Sequence, residues 1–208
     1  MIVAVLDANV LIPNALCDLL LRLAEEQVFV PRWSAHILDE VARNLPAQSR
    51  SAAERRIRYM TEAFHGAAVS GYEHLIPTMA NDVKDRHVLA AAVAGDADLI
   101  VTCDLKDFPS ESCEKYAVEI EHPDAFLLGV LDRDQTLVLG VLHDQAASTG
   151  RRGPRLSVPD VLQYVARAGA RRFADEIGAM LPANLRVEAL AGSVLTARIE
   201  ARDPAQAG

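Results

Sequence analysis

The stretch "VAVLDANVLI", Val3 to Ile12, decides the reading of the chain. It is apolar throughout except for a carboxylate and an amide, Asp7 and Asn9, set near its middle. Burying either group without partners costs several kcal/mol, so the sequence must supply a compensation. One reading is a capping pair, with a strand that ends at Leu6 and a turn that starts at Asp7. The other is that the strand delivers Asp7 to a site. The rest of the chain weighs between them.

Working outward, "MIVAVL" is a short uninterrupted apolar run that suits a strand covered on both faces. "ALCDLLLRLAEE" places Leu16, Leu19, Leu20 and Leu23 at helical spacing, and "VFVP" reads as a second strand closed by Pro31. "SAHILDEVARNL" reads as a helix with Ser34 as N-cap and Ile37, Leu38, Val41 and Leu45 turned inward. "AAERRIRYMTEAF" is a further amphipathic helix that buries Ile57, Met60 and Phe64 and presents Arg55, Arg56 and Arg58 on its other face. "KDRHVLAAAVAG" is another helix, stopped by Gly95, while "DLIVTC" and "YAVEI" are strands. This alternation predicts an α/β fold with a parallel central sheet flanked by helices.

Beyond about Asp132 the pattern changes to "TLVLGVLHDQAAS", a helix, then the basic loop "TGRRGPRLSVP", then a short helix in "PDVLQYVARAG". The expected organisation is therefore an α/β domain over residues 1–130 and a small, mainly helical annex over 131–208, ending in a frayed "ARDPAQAG". At 208 residues, half of them hydrophobic, the chain has material for a full core. A net charge of −8 argues against a general nucleic-acid coat protein, though not against an enzyme that meets nucleic acid through metal ions and a local basic patch. Three cysteines without zinc spacing read as reduced thiols in a cytoplasm. No signal-peptide pattern or membrane-length apolar run is present in the sequence.

In open parallel sheets, ligands bind beyond the carboxyl ends of the strands. Asp7 follows the first strand and Asp104 follows "DLIVTC"; Asp85 stands at a helix start, and Glu40 lies on the helix after the second strand. Singly, each could be a turn residue, a cap or a solvated helix residue. Together they could converge, and clustered carboxylates repel unless a cation neutralises them. Oxygen-only ligands suit Mg²⁺ or Mn²⁺, and such an ion supports phosphodiester chemistry without a nucleophilic side chain. Gly-rich phosphate loops, GxSxG and HExxH motifs do not occur. His87, two residues after Asp85, reads first as a packing or hydrogen-bonding position.

The segments "LDANVLI", "WSAHILDEVARNL", "GYEHLI", "NDVKDRHVLAAAV" and "LIVTCDLKDFP" follow one another in the order seen in PIN-domain proteins. They resemble the subgroup that includes VapC-like toxins of bacterial toxin–antitoxin pairs, over about residues 1 to 130. The resemblance implies a PIN fold and a metal-dependent endoribonuclease whose catalytic acids map onto Asp7, Glu40, Asp85 and Asp104. Asp7, Asp85 and Asp104 would be the metal ligands, Asn9 and Thr102 would support the site, and Asp82 and Asp107 are additional acids nearby. Attack of water in line would leave 5′-phosphate and 3′-hydroxyl ends. The implied partners are an RNA substrate, held on Arg55, Arg56 and Arg58, and an inhibitory antitoxin that inserts a basic side chain; a homodimer is left open. Two other readings stand beside this one: a catalytically silent PIN-like module that binds RNA or protein, and a phosphatase with Asp7 as nucleophile. The latter usually wants a second Asp where Asn9 stands.

Overall fold

The computed structural model describes residues 1–45, 50–150 and 154–182. Five parallel strands, β1 (Val3–Leu6), β2 (Val30–Ser34), β3 (Ala68–Val69), β4 (Leu99–Val101) and β5 (Glu119–Glu121), form one sheet in the order β3-β2-β1-β4-β5. The chain therefore leaves β1 toward β2 on one side and later returns to β4 on the other. Because right-handed crossovers are the rule, connections that run in opposite directions put their helices on opposite faces. The point where the strand order reverses lies between the carboxyl ends of β1 and β4, where α/β sheets hold their ligands.

Ten helices surround the sheet among the described residues: α1 (Ala8–Leu11), α2 (Asn14–Glu25), α3 (Ala35–Asn44), α4 (Arg50–Ala63), α5 (Arg86–Ala94), α6 (Ser110–Cys113), α7 (Pro123–Arg133), α8 (Gln135–Ala147), α9 (Val158–Arg167) and α10 (Arg171–Met180). Strand β1 has Ala4, Val5 and Leu6 fully buried, as its unbroken apolar run requires. In α2 the leucines at 16, 19, 20 and 23 are all buried, because the 3.6-residue period brings them onto one stripe. Helix α5 packs on β1, β2 and β4, and α2 packs on β2 and on α8 and α9. The expected cap is present: Ser34 Oγ accepts from the amide of Ile37 at 3.3 Å.

One local reading is corrected. Pro31 does not close the second strand but lies inside it. The amide of Val30 donates to the carbonyl of Ile2, just before β1, so the neighbouring position 31 points its missing donor toward the β3 side. There β3 begins pairing only opposite Trp33, and no ladder bond is lost. Asp85 occupies the N-cap of α5, yet its side chain makes no capping bond. The C-terminal helices α7 to α10 pack on one another. Helix α7, near whose end the expected division at residue 130 falls, also meets the sheet domain: Phe126 sits edge-on against Phe29 with ring centroids 5.1 Å apart. The frayed tail expected at 201–208 and residues 151–153 of the basic loop lie outside the described residues. No described helix is long and apolar enough to cross a membrane.

Candidate active site at the β1–β4 switch point

Strand β1 ends at Leu6, and the next residue, Asp7, is 4% exposed. The capping alternative holds for this residue, and its second oxygen reaches across to the end of β4. Oδ1 accepts from the amide of Ala8 at 2.7 Å and caps α1. Oδ2 accepts from the hydroxyl of Thr102 at 2.7 Å and from Asn9 Nδ2 at 2.9 Å. The Asn9 amide also reaches Thr102 Oγ1 at 2.9 Å and Asp104 Oδ2 at 3.2 Å, so one side chain bridges the carboxylates that follow β1 and β4. Its carbonyl oxygen accepts from the backbone of Cys103 at 3.0 Å, and Thr102 Oγ1 accepts from the amide of Asp104 at 3.1 Å. Thr102 is completely buried. The tripeptide after β4, Thr102 to Asp104, is thereby fixed against the tripeptide after β1, Asp7 to Asn9.

Glu40 and Asp85 stand farther out but within charge range. Burial pushes the Asp7 carboxyl up to about 6 against the bonds from Thr102 and Ala8, and the charges of Glu40 and Asp104 push it the same way. Asp85 is also pushed up to about 6, chiefly by burial, with Lys84 opposing and Asp7, Asp107 and Asp82 adding to the rise. Its Oδ2 is buried without a hydrogen-bond partner among the described residues; Lys84 Nζ stands off at 3.7 Å. Asp7 and Asp104 are thus joined through Asn9 and Thr102, while Glu40 and Asp85 are coupled to Asp7 through space.

The additional acids have local duties. Asp107 is buried and accepts from Lys84 Nζ at 2.9 Å, and Asp82 accepts from the amide of Lys84 at 3.1 Å. Lys84, unremarked in the sequence, is the cation of this corner; its place within "NDVKD" is the signal that could have found it. His87 Nε2 lies 3.7 Å from Glu40 Oε2, and its ring meets His36 edge-on at 5.6 Å. Burial and the His36 charge lower its pKa to about 4, so it is neutral at physiological pH. His36 Nδ1 in turn bonds the Tyr72 hydroxyl at 2.9 Å. Arg56 departs from the expected exposed face: its guanidinium donates to the carbonyls of Leu11 and Ile12 at 2.8 and 3.1 Å and to Asn14 Oδ1 at 2.7 Å.

Among the described residues no three His, Cys, Asp or Glu side chains are gathered closely enough to form a closed metal shell. The donor set nevertheless fits a hard divalent cation in two respects. It offers only carboxylate oxygen, and the buried, unbonded Oδ2 of Asp85 faces a group of acids whose mutual repulsion a cation would relieve.

A parallel sheet in the order 3-2-1-4-5, with acids at its switch point, defines a class that sequence comparison also recovers. The family model described as PIN domain matches residues 3–106, half of the chain, and the chain belongs to the PIN-domain family. A second model, described as VapC50 C-terminal domain, matches residues 123–179. A protein of Mycobacterium tuberculosis named "Putative ribonuclease VapC50" is 53% identical over 62 residues, which is 30% of this chain and 37% of that relative. The chain thus aligns with little more than a third of that relative's length. No solved structure matches.

Proposed function

We propose that this protein is a Mg²⁺- or Mn²⁺-dependent endoribonuclease and the toxin of a toxin–antitoxin pair. The observation that carries the reading is the hydrogen-bonded joint of Asp7, Asn9, Thr102 and Asp104 at the switch point, with the unpaired Asp85 oxygen beside it. Membership of the PIN family and the name of the mycobacterial relative support the ribonuclease assignment. In this reading residues 1–130 are the nuclease part and residues 131–208 an annex, with α7 as the joint between them.

Asp7, Asp85 and Asp104 would hold the cation, and Glu40 would complete the acidic set. The bound ion supplies activation of water and neutralisation of charge on the phosphoryl oxygens. The chain's own residues do the positioning. Thr102 and Asn9 hold Asp7 and Asp104 in fixed rotamers, and preorganised ligands lower the cost of loading the site. Neutral His87 packs beside Glu40 and leaves the local negative charge uncompensated, which favours cation entry. Hydrolysis in line would leave 5′-phosphate and 3′-hydroxyl ends.

A toxin needs an inhibitor. An arginine from an antitoxin fits the acidic site because its planar, permanently charged fork pairs with carboxylates. The test is cleavage of a labelled RNA by purified protein with Mg²⁺ or Mn²⁺, without metal, and with the product of the neighbouring small reading frame. Cleavage that needs metal and is blocked by that product is the expected result. RNA left intact under every metal condition would refute the nuclease assignment. Cleavage without any co-encoded inhibitor would refute the toxin role alone.

A further inference from the structure

The turn between α9 and α10 is pressed against the loop that carries Asp104. The Ala168 carbonyl lies 3.9 Å from Cys103 Sγ. Gly169 follows with φ +111°, and a Cβ there would stand 3.4 Å from Cys103 Sγ and 3.6 Å from the His122 ring. A positive φ and this close approach both call for glycine. The turn is anchored from behind. Ala170 and Phe173 are fully buried, and the amide of Phe173 donates to the buried Asp124 carboxylate at 2.9 Å. Farther along the annex, Gln145 Nε2 donates to the Ala15 carbonyl in α2 at 2.9 Å. The annex therefore holds this turn at the rim of the acidic site.

Three exposed arginines flank the turn: Arg167 two residues before Gly169, and Arg171 and Arg172 at the start of α10. Arg171 meets only Asp175, at 3.7 Å, through side chains that are 82% and 72% exposed, a pairing of little strength in water. Arg172 has no hydrogen bond or ion pair among the described residues. Cations in the first turn of a helix oppose its dipole, so both residues stand where an incoming anion would relieve them. Many other arginines are engaged internally: Arg22 with Asp18, Arg32 with the Gly66 carbonyl, Arg56 with Leu11 and Ile12, Arg86 with the Asn81 carbonyl. Tyr164, one helical turn before Ala168, is about half exposed, and the Arg167 guanidinium sits 5.9 Å from its ring centre.

We propose that this turn is one wall of the RNA path: Arg171 and Arg172 hold backbone phosphates of single-stranded RNA as it enters the acidic site, and Tyr164 stacks on a base. The proposal rests on the ribonuclease reading and gives the annex a role in it. An acidic chain needs local positive charge to bring a polyanion to a carboxylate site, and an exposed ring backed by arginine suits unpaired bases.

The experiment is anisotropy titration of a fluorescein-labelled 15-nucleotide RNA with the full chain in EDTA, across a range of salt concentrations. R171A/R172A should weaken binding about tenfold and lower the salt slope by about 1.4, the loss of two single-strand phosphate contacts. Y164A should weaken binding with the slope unchanged. Circular dichroism checks that each variant is folded, and R172E provides a second, independent surface change that should weaken binding further. Unchanged affinity and slope in folded R171A/R172A and R172E, with wild type binding RNA, would overturn this surface and leave the nuclease reading standing. Failure of wild type to bind or cleave RNA would overturn both.

Discussion

The hydroxyl of Thr102 donates to Asp7 Oδ2 at 2.7 Å and ties the carboxyl ends of two neighbouring parallel strands through a fully buried side chain. Thr102 Oγ1 also accepts from Asn9 Nδ2 and from the amide of Asp104, so it serves three partners in one joint. Thr102→Val keeps the shape and removes all of these bonds. Urea unfolding should show a loss of about 1–2 kcal/mol, with Asp7 titrating at still higher pH because a bond that favours its charged form is gone. Stability equal to wild type would mean the joint is not a structural unit.

Asp7 titrates near 6 in the fold against an ordinary 3.8, which sets the sign of a pH effect. A raised carboxyl pKa means that the folded state holds the proton longer than the unfolded chain. Its contribution is fully present below about pH 4 and is lost as pH rises through about 6. In metal-free protein, the stability difference between Asp7→Asn and wild type should therefore move in the variant's favour by roughly 2 kcal/mol from pH 4 to pH 7. Thermal unfolding at both pH values measures this, and a pH-independent difference would contradict the buried, repelled carboxylate.

The same substitution should remove most RNA cleavage while the fold is retained, because it preserves shape and deletes a ligand's charge. Cleavage by Asp7→Asn at the wild-type rate with Mg²⁺ present would show that Asp7 is not a needed ligand.

Divalent cations should raise the melting temperature of wild type at pH 7, since binding to the folded state alone stabilises it by mass action. The rise should shrink in Asp7→Asn and in Asp85→Asn. Calorimetric titration with Mn²⁺ reads the same site without any RNA. Equal shifts in all three proteins would place the cation elsewhere.

Arg56 and its neighbours should separate by role. Arg56→Ala should cost about 1–2 kcal/mol in chemical denaturation, because it frees the carbonyls of Leu11 and Ile12 and the Asn14 side chain from their donor. Arg55→Ala and Arg58→Ala should stay within about 0.5 kcal/mol of wild type, as exposed positions usually do. Arg58 pairs only loosely with Glu62, at 3.9 Å.

Much of this protein was legible in its order of residues. Uninterrupted apolar runs such as "VAVL" and the leucine period of α2 fix strand and helix by periodicity alone, and alternation then predicts a parallel sheet. Acids placed directly after strands were legible too, since strand ends are local features. The tertiary structure decided what depends on distance across the chain. Asn9 binds both carboxylates only because β4 lies beside β1, a pairing the local pattern leaves open. Arg56 and Arg58 stand two residues apart in one basic stretch, yet of the two only Arg56 meets the carbonyls of Leu11 and Ile12. Lys84 belongs to Asp107, and the annex reaches Cys103 through a glycine turn, by folding contacts that no short segment encodes. Periodicity fixes which face of an element is apolar; which polar groups meet is fixed by the packing of those faces, and that information is spread over the whole chain.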